Sequence, residues 1–352
     1  MMGKKSDGSM RHIVFCLLSL FLTLNLAGCG GGSTASETTN EPWQELEQTP
    51  EQEPERTMNQ TEYLEAVPPS YFDAAARRGS VIAETYRSHD YTSSNNEAIT
   101  KTAYVYLPYG YDAADKDKRY DILYLMHGWT MTAGDFFDDP RDGSHIVAIL
   151  DNLIQNGDIP PIIVVCATFD AVNQSQSFSR STEELSVFHR DFRDDLVPYI
   201  EGKYNTYADN VTEDGLRRSR GHRAFGGFSL GAVTTWYQFI YNLDYVKYFL
   251  PMSGDCWILG TYGGLYYPVE TTEYLAKVVS DGEWAEEDFL IYEGIGTADS
   301  RWAQTDNQIE AMIRNSTFTP KNLHYAIIEG GRHDLHACER YLYHALQMFF
   351  KN

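Results

Sequence analysis

The chain has 352 residues, 43% hydrophobic and 22% charged, the balance of a folded globular protein and not of a disordered one. Its 50 acidic and 28 basic residues give a formal net charge of −22. Such a surface repels nucleic-acid phosphates and anionic lipid headgroups, which argues against nucleic acid as a partner.

At the start, Lys4, Lys5 and Arg11 precede an apolar run, Ile13 to Leu24, that is too short to span a bilayer comfortably and predicts a signal peptide over 1–28. Leu26-Ala27-Gly28-Cys29 follows and resembles the bacterial lipobox, in which the cysteine is acylated and becomes the new N-terminus. Cys29 is thus the expected lipid attachment site, with the protein exported and anchored on the outer face of the cytoplasmic membrane or on the cell surface. From Gly30 to about Glu65 the sequence is Gly, Ser, Thr, Glu, Gln and Pro with few apolar residues, too little to bury a core. Residues 29–62 are therefore expected to be a tether.

From Tyr63 onward no internal repeat or second linker interrupts the chain, so 63–352 reads as a single domain. Ala103 to Leu107, Tyr120 to Met126 and Ile162 to Cys166 have the character of strands, as do Arg223 to Phe228, Tyr248 to Met252, Phe289 to Glu293 and His324 to Ile328. Helical patterns alternate with them at Ile146 to Gln155, Glu183 to Tyr204 and Ala232 to Tyr241, the second with Phe188, Phe192, Leu196, Tyr199 and Ile200 on one face. Trp257 to Tyr274 could form a small cap. This alternation predicts an α/β fold, a mostly parallel sheet with helices on both faces and catalytic groups in loops beyond the C-terminal strand ends.

Beyond the signal and Cys29, three cysteines remain: Cys166, Cys256 and Cys338. Export permits one disulfide, and Cys256 with Cys338 is the preferred pair because both follow strand ends on the active edge; three buried free thiols are the alternative. No CxxC or clustered Cys/His spacing suggests a structural zinc site.

Gly227-Phe228-Ser229-Leu230-Gly231 lies between a strand and a helix, the pattern of a nucleophile elbow. A serine hydroxyl is a poor nucleophile at neutral pH and needs a base. His333, in Gly330-Gly331-Arg332-His333-Asp334 just after the last strand, is the preferred base, with His336 as a rim residue. Asp299, in Gly296-Thr297-Ala298-Asp299-Ser300, follows the preceding strand and completes the chain order Ser, Asp, His. Asp255 is the runner-up acid and is otherwise expected to line the cleft. Met126-His127-Gly128-Trp129 ends an early strand, so the backbone amides of Trp129 and Leu230 are the expected oxyanion donors. His127 itself is expected to hold its loop.

These blocks, together with Val67-Pro68-Pro69, Tyr71-Phe72 and Tyr106 to Tyr111, resemble the feruloyl esterases associated with xylanases, in the esterase D-like group of α/β hydrolases. The resemblance covers almost everything after the tether. It implies an α/β-hydrolase fold and serine hydrolysis of ferulate or related hydroxycinnamate esters on plant arabinoxylan, without a metal or organic cofactor. Feruloylated oligosaccharide or cell-wall polysaccharide would be the substrate, and the lipid anchor the only membrane contact. Acetyl-xylan esterase activity is the near alternative, and a non-catalytic polysaccharide-binding lipoprotein the alternative from another class. Leu335 and His336 stand where the family often has an aromatic after His-Asp. Trp129, Asp255 and Trp257 are the expected substrate-binding residues, with Tyr262, Tyr266, Asp135 and Phe136 as further candidates.

Overall fold

Along the strand Asp121–Met126, Tyr124 and Met126 belong to one apolar cluster and Leu123 and Leu125 to another, so this one strand separates two cores. Both faces of the sheet are covered, as expected of a buried parallel strand. The computed structural model describes residues 60–137, 145–171 and 177–351. The predicted signal peptide, Cys29 and nearly all of the tether lie outside the described residues. Among the described residues no helix is long and apolar enough to cross a membrane.

In chain order the strands are β1 (Thr61–Tyr63), β2 (Ser80–Asp90), β3 (Glu97–Leu107), β4 (Asp121–Met126), β5 (Ile162–Ala167), β6 (Arg223–Phe228), β7 (Tyr248–Met252), β8 (Leu290–Gly296) and β9 (Leu323–Ile328). They form one sheet in the order β1-β9-β8-β7-β6-β4-β5-β3-β2. Pairing is parallel from β1 to β5, and β3 and β2 add an antiparallel edge. All seven predicted strands are present, with ends displaced by a few residues. β1 draws Thr61 and Glu62 of the predicted tether into the sheet, paired with β9.

The helices are α1 (Ile146–Asn156), α2 (Phe178–Asp191), α3 (Val197–Lys203), α4 (Glu213–Arg218), α5 (Leu230–Tyr241), α6 (Gly263–Tyr266), α7 (Pro268–Asp281), α8 (Trp302–Ile313) and α9 (Leu335–Leu346). The single helix predicted over Glu183 to Tyr204 is α2 and α3 joined by a π-helical turn, Phe192–Leu196. Pro198, near the start of α3, has no N–H to continue the α-helical ladder, and the wider turn absorbs the break. Phe188, Phe192, Leu196 and Ile200 nevertheless share one buried cluster, as their spacing required.

The expected Cys256–Cys338 disulfide is absent, and Cys166, Cys256 and Cys338 are buried free thiols. Cys256 packs in one apolar cluster and Cys338, on α9, in the other, so the sheet separates them. Burial, with the neighbouring Asp255 adding to it, raises the thiol pKa of Cys256 to about 12, which leaves it unreactive.

At the base of β6 a buried ion pair holds the strand that ends at the elbow. Arg223 donates from Nε and Nη2 to Glu201 at 2.6 and 2.9 Å and from Nη1 to the carbonyls of Leu216 and Tyr245. Tyr124 and Thr206 donate to the remaining lone pairs of Glu201. Replacing Arg223 by methionine leaves a buried carboxylate without its cation, and the expected loss is about 3–5 kcal/mol. Urea unfolding of the variant, with its midpoint compared at unchanged m-value, measures this.

Candidate active site

Ser229 stands between β6 and α5 with φ 57° and ψ −114°, a conformation forced on a non-glycine residue. The turn closes because its flanking glycines lack side chains: a Cβ on Gly227 would lie 2.5 Å from the Gly231 backbone, and one on Gly231 would collide with the Met126 carbonyl. The Ser229 amide donates to the Met252 carbonyl at 2.9 Å, fixing the elbow to β7. The side chain thereby sits at the N-terminus of α5, where the helix dipole favours negative charge.

The loops after β8 and β9 are tied together by three hydrogen bonds. Thr297 N donates to Ile328 O and Ala298 N to Gly331 O, both at 3.0 Å, and Gly330 N donates to Thr297 Oγ1 at 2.8 Å. Gly330, at φ 69°, supplies the bend. As a result His333 Nδ1 lies 2.9 and 3.0 Å from the two oxygens of the buried Asp299. Asp299 Oδ1 also accepts the Arg301 amide at 2.7 Å, which fixes the carboxylate plane. The His333 ring packs 4.5 Å from Phe228, and Asp334 caps α9 by accepting the Ala337 amide.

Ser229 and His333 open onto the same cleft, of about 180 Å³, together with Trp129, Phe178, Asp255, Trp257 and Arg301. Among the described residues, Ser229 Oγ and His333 Nε2 have no hydrogen-bond partner, so the serine–histidine link is not closed here, whereas the histidine–aspartate link is. Unliganded hydrolase sites commonly carry such long contacts, which tighten when substrate binds.

Gly128 brings the early loop against the elbow, since a Cβ there would lie 3.3 Å from the Ser229 Cβ. His127 is buried and turned into its own loop, its ring nitrogens 2.8 Å from the Gly128 carbonyl and 2.7 Å from Thr168 Oγ1. Burial lowers its pKa, which favours the neutral ring. Among the described residues the amides of Trp129 and Leu230 have no protein acceptor, leaving both N–H groups available to a ligand.

Asp255 is committed elsewhere. Its oxygens accept Trp257 Nε1 at 2.9 Å and the Gly264 amide at 2.8 Å, which ties the segment containing α6 to the cleft wall. Burial raises its pKa above the ordinary carboxylate value. Trp257 is buried, wedged between Phe178 at 6.0 Å and Tyr262 at 5.3 Å, while Trp129 is 41% exposed and its ring meets Phe178 edge-on at 5.3 Å.

Three weaker candidates lie elsewhere. Phe136 is fully buried in the core, Asp135 accepts from the amide and hydroxyl of Thr132, and Tyr266 is exposed beside Tyr267. Conversely, Phe178 and Arg301 line the cleft without having been singled out in the sequence. Arg301 lies two residues after Asp299, with its guanidinium 5.2 Å from the Tyr262 ring centre. Phe178 opens α2 in a segment with no motif, and only the folded chain brings it to the cleft.

Residues 97–348 match the Esterase family model, a span of most of the chain. The chain belongs to the esterase family. Within that family it falls with the feruloyl esterases associated with xylanases, has the α/β-hydrolase fold and is an enzyme of the serine esterase type. It is 34% identical over 289 residues to endo-1,4-beta-xylanase Y of Acetivibrio thermocellus, covering 80% of this chain and 24% of the relative. It is 28% identical over 260 residues to an endo-1,4-beta-xylanase/feruloyl esterase of Xylanibacter ruminicola, covering 73% of this chain and 30% of the relative. This esterase chain thus spans under a third of the length of either curated relative. Among solved structures, the feruloyl esterase module from Clostridium thermocellum, a serine-to-alanine mutant complexed with sinapinate, superposes with a TM-score of 0.70. It is 33% identical, over 83% of this chain and 95% of the module.

Proposed function

We propose that this esterase releases ferulate or related hydroxycinnamates from feruloylated plant arabinoxylan through an acyl-enzyme. The observation that carries this is the His333–Asp299 pair opening with Ser229 onto a cleft whose walls include Trp129, Phe178 and Trp257. Flat aromatic walls beside a nucleophile suit a planar aromatic acyl group. The relatives add support, because one carries feruloyl esterase in its name and a similar module was solved with sinapinate.

In this mechanism His333 Nε2 takes the Ser229 proton as Oγ attacks the ester carbonyl. Asp299 holds Nδ1–H and stabilises the imidazolium that forms. The carbonyl oxygen, now negative, is held by the Trp129 amide in the loop after β4 and the Leu230 amide at the N-terminus of α5. His333 then gives the proton to the departing sugar oxygen as its bond to the acyl carbon breaks, releasing the sugar alcohol, and water resolves the acyl-enzyme by the same steps. Asp255 and Trp257 serve as cleft wall, the first by fixing the second. We further propose that the protein acts outside the cytoplasm, anchored through lipid on Cys29.

Initial rates on methyl ferulate and methyl acetate test the substrate class, since the leaving group is common to both. The expected kcat/KM ratio favours ferulate by roughly 10–200-fold, the range that apolar pocket contacts provide. Equal or better turnover of acetate, or of acetylated xylan, would transfer the assignment to acetyl esters while leaving the esterase chemistry in place. Binding of xylan without turnover of any ester would favour a surface binding protein instead.

A further inference from the structure

Outside the cleft, two histidines converge on one buried carboxylate. His145 stands immediately before α1, and His336 and Glu339 occupy the first turns of α9; His145 and Glu339 are 194 positions apart in sequence. His145 Nδ1 lies 3.1 Å from Glu339 Oε1, and His336 Nδ1 lies 3.2 Å from Oε2. One donor atom from each residue can be chosen so that all three lie within 4.8 Å of one another. Ligands at 2.0–2.2 Å around a tetrahedral zinc ion stand roughly 3.3–3.6 Å apart, so the spacing is close to that of a metal shell.

A second observation points the same way. The Glu339 side chain is 4% exposed, yet among the described residues it has no lysine or arginine partner. Among the described residues its hydrogen-bond contacts are the two imidazoles and the His145 amide at 2.8 Å. Two other buried carboxylates, Glu201 and Asp191, have a permanent cation beside them, Arg223 and Lys101, whereas Asp151 and Asp255 are held by neutral donors alone. A buried carboxylate needs compensation from hydrogen-bond donors or a cation, and a metal ion bound between the two imidazoles and Glu339 would supply it here. The two histidine side chains are 42% and 56% exposed, so an ion and its water ligands can reach the site.

We infer that His145, His336 and Glu339 bind a divalent transition-metal cation of the zinc type, two ligands through imidazole nitrogen and one through carboxylate oxygen, with water completing the shell. The ion staples the segment before α1 to the first turns of α9. Asp334, the cap of α9, directly follows His333, so the staple steadies the segment that carries the proposed base without taking part in ester chemistry.

The test uses the full chain, stripped with EDTA and dialysed, then titrated with zinc chloride by calorimetry, with thermal unfolding recorded with and without zinc. Wild type is expected to bind one equivalent and to unfold at a higher temperature when loaded. His336→Ala, a change at an exposed position, is expected to weaken binding by at least about tenfold and to abolish the zinc-dependent rise. Glu339→Gln should do the same, its fold checked by circular dichroism. Cobalt provides an independent readout, through visible absorption characteristic of low-coordinate nitrogen and oxygen ligation in wild type alone. Absence of binding by wild type, or equal zinc affinity in wild type and His336→Ala, would overturn the assignment.

Discussion

Ser229→Ala is expected to lower kcat for methyl ferulate by about 10⁴–10⁶-fold, with the unfolding temperature unchanged. The large loss follows from removing the only oxygen at the elbow that can form the acyl-enzyme in the proposed mechanism. Activity above the uncatalysed rate should persist, because the Trp129 and Leu230 amides and the cleft walls still act on a bound ester attacked by water. The fold should tolerate the change because alanine keeps the Cβ, so the backbone at φ 57° is no more strained than before. Among the described residues Ser229 Oγ has no hydrogen-bond partner to lose. Rapid-quench measurement of the p-nitrophenol burst from p-nitrophenyl acetate checks the chemistry directly. Wild type should release a stoichiometric burst and the variant none, and a variant retaining a tenth of wild-type kcat would remove Ser229 from the role.

Much of this arrangement could be read in the sequence because its chemistry depends on local geometry. The elbow needs glycines at 227 and 231 to let the backbone close, and the bend before His333 needs Gly330, so both left short, recognisable motifs. The central strands are apolar on both faces and stand out as continuous runs. β2 was missed for the opposite reason. Its inward positions include Glu84 and Ser88, which break the apolar alternation that identifies a strand. Glu84 tolerates burial because Lys203, Tyr204 and Tyr199 all donate to it, partners more than a hundred positions away that no window of sequence contains. The same limit applies to Phe178 in the cleft wall and to the His145–His336–Glu339 cluster, since each depends on long-range convergence. The preferred disulfide failed because strand-end positions say nothing about which face of the sheet a side chain enters.

Asp299→Asn and Asp255→Asn together decide which carboxylate serves the base, a choice the sequence alone left open. Asp299→Asn is expected to reduce kcat by about 10⁴-fold at neutral pH with little effect on KM. Asparagine can keep a hydrogen bond to His333 Nδ1 by donating its amide N–H, but that favours the tautomer with the proton on Nε2, where it cannot accept from serine. It also removes the negative charge that stabilises the imidazolium. Asp255→Asn should act differently, because the oxygens of Asp255 are taken by Trp257 Nε1 and the Gly264 amide. Its expected effect is a raised KM for aromatic esters as Trp257 loosens, with kcat within about tenfold of wild type. A third buried carboxyl, Glu293 on β8, does not compete. Complete burial and the nearby Asp255 and Asp299 push its pKa well above the ordinary carboxylate value, which favours the uncharged form. Among the described residues Asp299 is the carboxylate in hydrogen-bond contact with His333, and the proposed mechanism assigns it the pairing with the imidazolium. If Asp255→Asn lost kcat as severely as Asp299→Asn, the 2.9 Å contact between His333 and Asp299 would not be the one that serves catalysis.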